Sequence, residues 1–204
     1  MLFIVDMQND FVDFKRGKNY VNGSEEIVTG IIDKIIEYEQ KNDYIFYTSD
    51  IKLQGEEEFE NNNDSIGVLL GEIKSSIKEK WGYKPYGQLE SYLANHEEIK
   101  KSYYAIPPEK LLEIQERFKS KKDIIDEIEF VGVETNICVL ANAVCVQSAF
   151  PDAKIIVNAS LCRSSDAKNH EKALEVMDAI GMEIRRWKDE TRTKETRKIN
   201  PRPY

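Results

Sequence analysis

Residues 130–145, FVGVETNICVLANAVC, decide how the chain is read. The run from Phe130 to Val133 is apolar and reads as a buried strand. Glu134 to Asn136 interrupts it, and the small and apolar residues from Ile137 onward fit a packed helix. A strand that passes through a short turn into a helix is the repeating unit of an α/β protein. The same stretch sets Cys138 just beyond the turn, where it is either a small buried filler or a nucleophile.

Reading outward, short apolar or alternating runs recur at LFIV (2–5), YIFYTS (44–49), EIKKSYY (98–104), IEFVGV (128–133), KIIVNA (154–159) and EIRRW (183–187). Helical patterns lie between them at 24–41, 107–121, 136–149 and 168–180, with a less regular one near 87–95. Such alternation implies right-handed crossovers. The expected fold is a three-layer α/β/α, Rossmann-like domain with a mostly parallel six-stranded sheet and helices on both faces. Ligands then bind beyond the carboxyl ends of the strands. One domain is expected over 1–187, followed by a charged tail, 188–204, without apolar periodicity. Residues 52–86, with an acidic cluster and an Asn run, read as a lid, a subunit contact or a solvated excursion.

A formal net charge of -8 disfavours a nucleic-acid partner, because phosphate contacts need clustered Lys and Arg. No basic leader and no stretch of about 18 apolar residues is present, so neither a signal peptide nor a membrane span is expected, and a cytoplasmic location follows. The three cysteines form no CxxC pair and suit a reducing compartment.

Three reactive residue types fall at expected strand ends: Asp6 after LFIV, Lys100 with Lys101 in the third strand, and Cys138. In a parallel sheet those ends point the same way and can converge. Each also has a plain structural reading: a turn cap for Asp6, a solvent-facing pair for the lysines, core packing for Cys138. Thr135 and Asn136 are helix N-cap candidates, which would put Cys138 in the first turn at the positive end of the helix and lower its thiol pKa. Cys145 and Cys162 read as core. Of the two histidines, His96 precedes its strand on the far side of the sheet and His170 begins a helix as a packing or capping residue. The base for a cysteine nucleophile is then a carboxylate, and Asp6 is the obvious one. Metal motifs such as HxH and HExxH are absent, so no metal and no cofactor are expected.

FIVDMQNDF, KKSYYA, VGVETNICV and NASLCRSSDAKNHEKALEVMDAIGMEI together resemble the isochorismatase-like cysteine hydrolase superfamily, which includes nicotinamidases and N-carbamoylsarcosine amidohydrolases. The resemblance runs from residue 2 to about 187. It implies an Asp-Lys-Cys triad of Asp6, Lys100 and Cys138, with Lys100 chosen by its spacing to Ala105 and Lys101 as the fallback. It further implies a cis peptide between Val133 and Glu134, an oxyanion hole from the N–H groups of Glu134 and Cys138, and Phe11 on the substrate pocket. The implied activity is hydrolysis of a small amide or related C–N bond through a thioester, in a homo-oligomer (dimer or tetramer). A nicotinamidase-type amidase, an isochorismatase-type vinyl-ether hydrolase and an inactive binding or assembly relative are the alternatives. Nicotinamidases of this family bind a metal through Asp-x-His, and here Lys52 stands at the histidine after Asp50.

Overall fold

The computed structural model describes residues 1–51, 81–121 and 124–186. Its strands are β1 (Leu2–Val5), β2 (Ile45–Asp50), β3 (Glu97–Lys101), β4 (Glu127–Val133), β5 (Lys154–Arg163) and β6 (Glu183–Arg185). They form one six-stranded sheet in the order β3-β2-β1-β4-β5-β6, with every neighbouring pair parallel. The chain winds outward from β1 to one edge and from β4 to the other, so strand order reverses between β1 and β4. In a doubly wound sheet that is where a crevice opens beyond the strand ends.

The helices are α1 (Asn9–Val12), α2 (Val28–Gln40), α3 (Leu89–Leu93), α4 (Pro108–Lys121), α5 (Leu140–Ala149) and α6 (Ala167–Ala179). Strand alternation sorts the apolar residues into two cores. Phe3, Val5, Phe46, Ile99 and Phe130 face α4, α5 and α6, and Leu2, Ile4, Ile45, Val131 and Val133 face α2 and α3. Phe3 stacks between Phe46 and Phe130 with ring centroids 5.2 and 5.1 Å away, tying β1 to both its neighbours. Full burial of such a side chain contributes about 1.5–3 kcal/mol. This is the expected three-layer α/β/α fold.

Local departures matter more for the site. β3 ends at Lys101, so Tyr103 and Tyr104, expected within a strand, lie exposed beyond it. β5 continues past Ala159 to Arg163, with a register shift opposite β4 between Phe130 and Gly132. Gly132 has φ +118°, and a Cβ there would come within 2.2 Å of the Val5 carbonyl, so β4 passes β1 more closely than any other residue allows. The expected helix at 24–41 opens with a 3-10 segment, Ser24–Ile27, and the one at 136–149 with a π turn, Thr135–Val139. Among the described residues no helix is long and apolar enough to cross a membrane. Residues 52–80, Trp187 and the 188–204 tail lie outside the described residues.

Candidate active site

Asp6 follows β1 directly and is held at φ 50°, a left-handed conformation unfavourable for most non-glycine residues and better tolerated by aspartate. Thr48 on β2 fixes it: the Asp6 N–H donates to the Thr48 hydroxyl at 3.1 Å, and that hydroxyl donates to Asp6 Oδ1 at 2.6 Å. The second oxygen, Oδ2, faces Lys101 Nζ at 2.7 Å. The same ammonium lies 3.5 Å from Cys138 Sγ and 3.6 Å from Asp50 Oδ2. With side-chain exposures of 0% for Lys101 and 1% for Asp6, this ion pair is shielded from water and from screening by salt.

The lysine expected here was Lys100, and the structure puts Lys101 in its place. Strand side chains alternate between faces. Ile99 must bury in the core, so Lys101 shares its face and meets Asp50, its register partner, while Lys100 points to the other side. Lys100 is 45% exposed, 3.7 Å from Glu98 and 5.8 Å above the Tyr83 ring. Spacing to Ala105 pointed to the lysine that lies away from Asp6 and Cys138, whereas the period-2 pattern around Ile99 pointed to the one beside them.

Cys138 lies inside the π turn rather than in the first turn of α5, and neither Thr135 nor Asn136 caps it. Single π turns of this kind occur often at functional sites. Its thiol pKa is pushed up, not lowered: burial and the Asp6 carboxylate raise it, and Lys101 only partly offsets them. Burial works against the Lys101 charge, but Asp6, Cys138 and Asp50 raise its pKa on balance. The resting site is therefore a neutral thiol beside an ammonium–carboxylate pair. The peptide between Val133 and Glu134 is cis. The Ile137 and Val139 amides both donate to the Glu134 carbonyl at 3.1 Å, while the Glu134 N–H has no acceptor among the described residues.

Further residues support the cluster. Asn142, fully buried, donates to the Cys138 carbonyl at 2.7 Å and to that of Tyr104 at 3.0 Å, and accepts from the Ile106 N–H at 2.8 Å, joining α5 to the loop after β3. Gln8 accepts from the Asp50 N–H at 2.8 Å and donates to the Asp50 and Tyr83 carbonyls at 3.2 and 2.9 Å. Asn9 donates to the Trp81 carbonyl at 2.7 Å. The residues after Asp6 thus anchor segment 81–86 beside the strand ends. Phe11 packs, partly buried, against the α2 core. Cys162 is buried and Cys145 packs at the core margin. His96 sits 3.0 Å from Glu39, away from the cluster. His170 caps nothing, since Asp166 accepts from the Lys168 and Asn169 N–H groups at 2.7 and 2.9 Å; its ring bonds Thr135 instead.

The profile of the isochorismatase domain matches residues 1–189. The chain belongs to the isochorismatase family. No match is found among curated proteins. Among solved structures, the nicotinamidase of Staphylococcus aureus superposes with TM-score 0.66 at 22% identity, over 90% of this chain and 96% of that one. The pyrazinamidase/nicotinamidase of Streptococcus mutans gives 0.67 at 24%, over 90% and 98%. The pyrazinamidase of Pyrococcus horikoshii, solved with zinc, gives 0.65 at 17%, over 91% and 98%. At these identities the likeness establishes the fold. Asp6, Asp50 and Cys138 offer ligand atoms within 4.8 Å of one another. The Lys101 ammonium already lies 2.7, 3.6 and 3.5 Å from these three groups, where a cation would bind. Neither histidine joins them.

Proposed function

We propose that the protein is a cysteine hydrolase that cleaves a small amide or a related C–N bond through a thioester, without a metal. The carrying observation is Lys101 Nζ, buried 2.7 Å from Asp6 and 3.5 Å from Cys138 Sγ. In this reading Asp6, oriented by Thr48, takes the thiol proton as sulfur attacks the carbonyl carbon, and Lys101 stabilises the forming thiolate. The Glu134 and Cys138 N–H groups receive the oxyanion, a contribution of about 10² to 10³ in rate for one such donor. Asp6 returns the proton to the leaving nitrogen. Water, deprotonated by the same carboxylate, then attacks the thioester, releasing the acid and restoring the thiol.

The nicotinamidase and pyrazinamidase neighbours make small heteroaromatic carboxamides the first class to assay, with Phe11 proposed on the pocket wall. A panel of small amides is tested by ammonia release with wild type and Cys138→Ser. The account expects turnover by the wild type and a loss of about 10³-fold or more in the variant, from removal of the nucleophile. Release of pyruvate from isochorismate, retained in Cys138→Ala, would instead select vinyl-ether hydrolysis.

A further inference from the structure

The motif at 158–184 contributes no group to the reaction above, yet it touches the turn that does. Two contacts reach that turn from the start of α6. The Ser165 N–H donates to Glu134 Oε2 at 2.8 Å. His170 Nδ1 lies 2.8 Å from the hydroxyl of Thr135, which is fully buried. Glu134 and Thr135 lead directly into the π turn that carries Cys138, and the Glu134 N–H is one of the two proposed oxyanion donors. One helix start therefore holds both side chains beside that donor.

We propose that His170 is a positioning residue: acting through Thr135, it fixes the turn so that the Glu134 and Cys138 amides converge on one oxygen. The inference rests on the hydrolase reading for its chemistry. In the tautomer with the proton on Nε2, Nδ1 accepts the Thr135 hydroxyl proton at 2.8 Å. Burial lowers the pKa of the ring below the usual histidine value. Glu171 on its own helix opposes this, while Arg163 at the end of β5 and Arg186 beyond β6 reinforce it. The neutral ring accepts the Thr135 hydroxyl proton at Nδ1; a protonated ring donates to the Thr135 oxygen instead, so the bond reverses and the hydroxyl proton must find another acceptor. Catalytic donors lose effect with small displacements, so an effect on turnover is expected without any contact to substrate.

The test separates the turn from the nucleophile. A 13C-labelled acetaldehyde adds reversibly to Cys138: sulfur bonds the carbonyl carbon, the C=O π bond opens and the thiol proton ends on oxygen, where the two amides face it. Iodoacetamide alkylates the same sulfur by displacing iodide and needs no such donors. In His170→Ala the aldehyde affinity is expected to fall about tenfold, a fraction of the effect of deleting a donor outright. The alkylation rate at pH 8.5 should change less than about twofold. His170→Asn, whose amide oxygen reaches the place of Nδ1 and does not titrate, should restore aldehyde affinity and remove an acid-side inflection below about pH 6.5. An unchanged aldehyde affinity in His170→Ala, or an equal fall in both reactions, overturns the proposal. Amide turnover in the wild type with no effect of His170→Ala sinks this inference alone. No turnover and no aldehyde adduct in the wild type sinks the reading beneath it as well.

Discussion

Replacing Lys101 by methionine keeps an unbranched chain of similar length and removes the charge. At 3.5 Å from Cys138 Sγ, an ammonium stabilises a thiolate by about 5 kcal/mol at an effective dielectric of about 20. Desolvation of the buried pair offsets part of this. If about half survives, the barrier rises by roughly 2–3 kcal/mol, and kcat/KM falls about 10²-fold. Stability should also drop, by about 3–5 kcal/mol, because the Asp6 and Asp50 carboxylates lose their shared counter-charge at 2.7 and 3.6 Å. The control is Lys100→Met. Its ammonium is exposed beside Glu98, and screening leaves such a pair little influence. Ammonia release from the best amide of the panel, measured for wild type and both variants alongside thermal unfolding, decides the matter. The reasoning is refuted if Lys100→Met loses activity and Lys101→Met keeps it.

Two other outcomes follow from the same geometry. With the Cys138 thiol pushed up by burial and Asp6, iodoacetamide at pH 7 should alkylate it more slowly than a free thiol of pKa about 8.5, and the rate should rise with pH above neutrality; a rate already level below pH 7 would show a standing thiolate. Gly132→Ala should cost more than about 2 kcal/mol, from the unfavourable φ and a methyl pressed to 2.2 Å from the Val5 carbonyl; denaturant unfolding measures it, and a loss under about 0.5 kcal/mol would contradict the close passage of β4 over β1.

The layers of the fold were legible because near-continuous apolar runs such as LFIV and IEFVGV must bury both faces of a parallel sheet. Asp6 and Cys138 were legible as strand-end residues. Which lysine lies beside Asp6 was not legible from spacing, because adjacent lysines differ only in which face they occupy, a question for Ile99 and the pleat. Thr48 and Asp50, alternate residues of β2, reach the site for the same reason, and only the pairing of β2 with β1 and β3 reveals it. Glu129 gives no sign in sequence that a mid-strand carboxylate is buried. Its partners, Tyr38 at 3.0 Å, Asn158 at 2.9 Å and Lys34 at 3.4 Å, come from distant parts of the chain. The thiol pKa was anticipated with the wrong sign, since a helix dipole argument counts neither the depth of burial nor the neighbouring carboxylate.

The most direct measurement is intact-protein and peptide mass spectrometry of the enzyme quenched in acid during turnover of a hydrolysed amide. The account predicts an acyl group carried on Cys138, absent from Cys138→Ser and accumulating when the water-activation step is slowed. Turnover of that amide by Cys138→Ala at the wild-type rate, with no acylated species at any time, would contradict it.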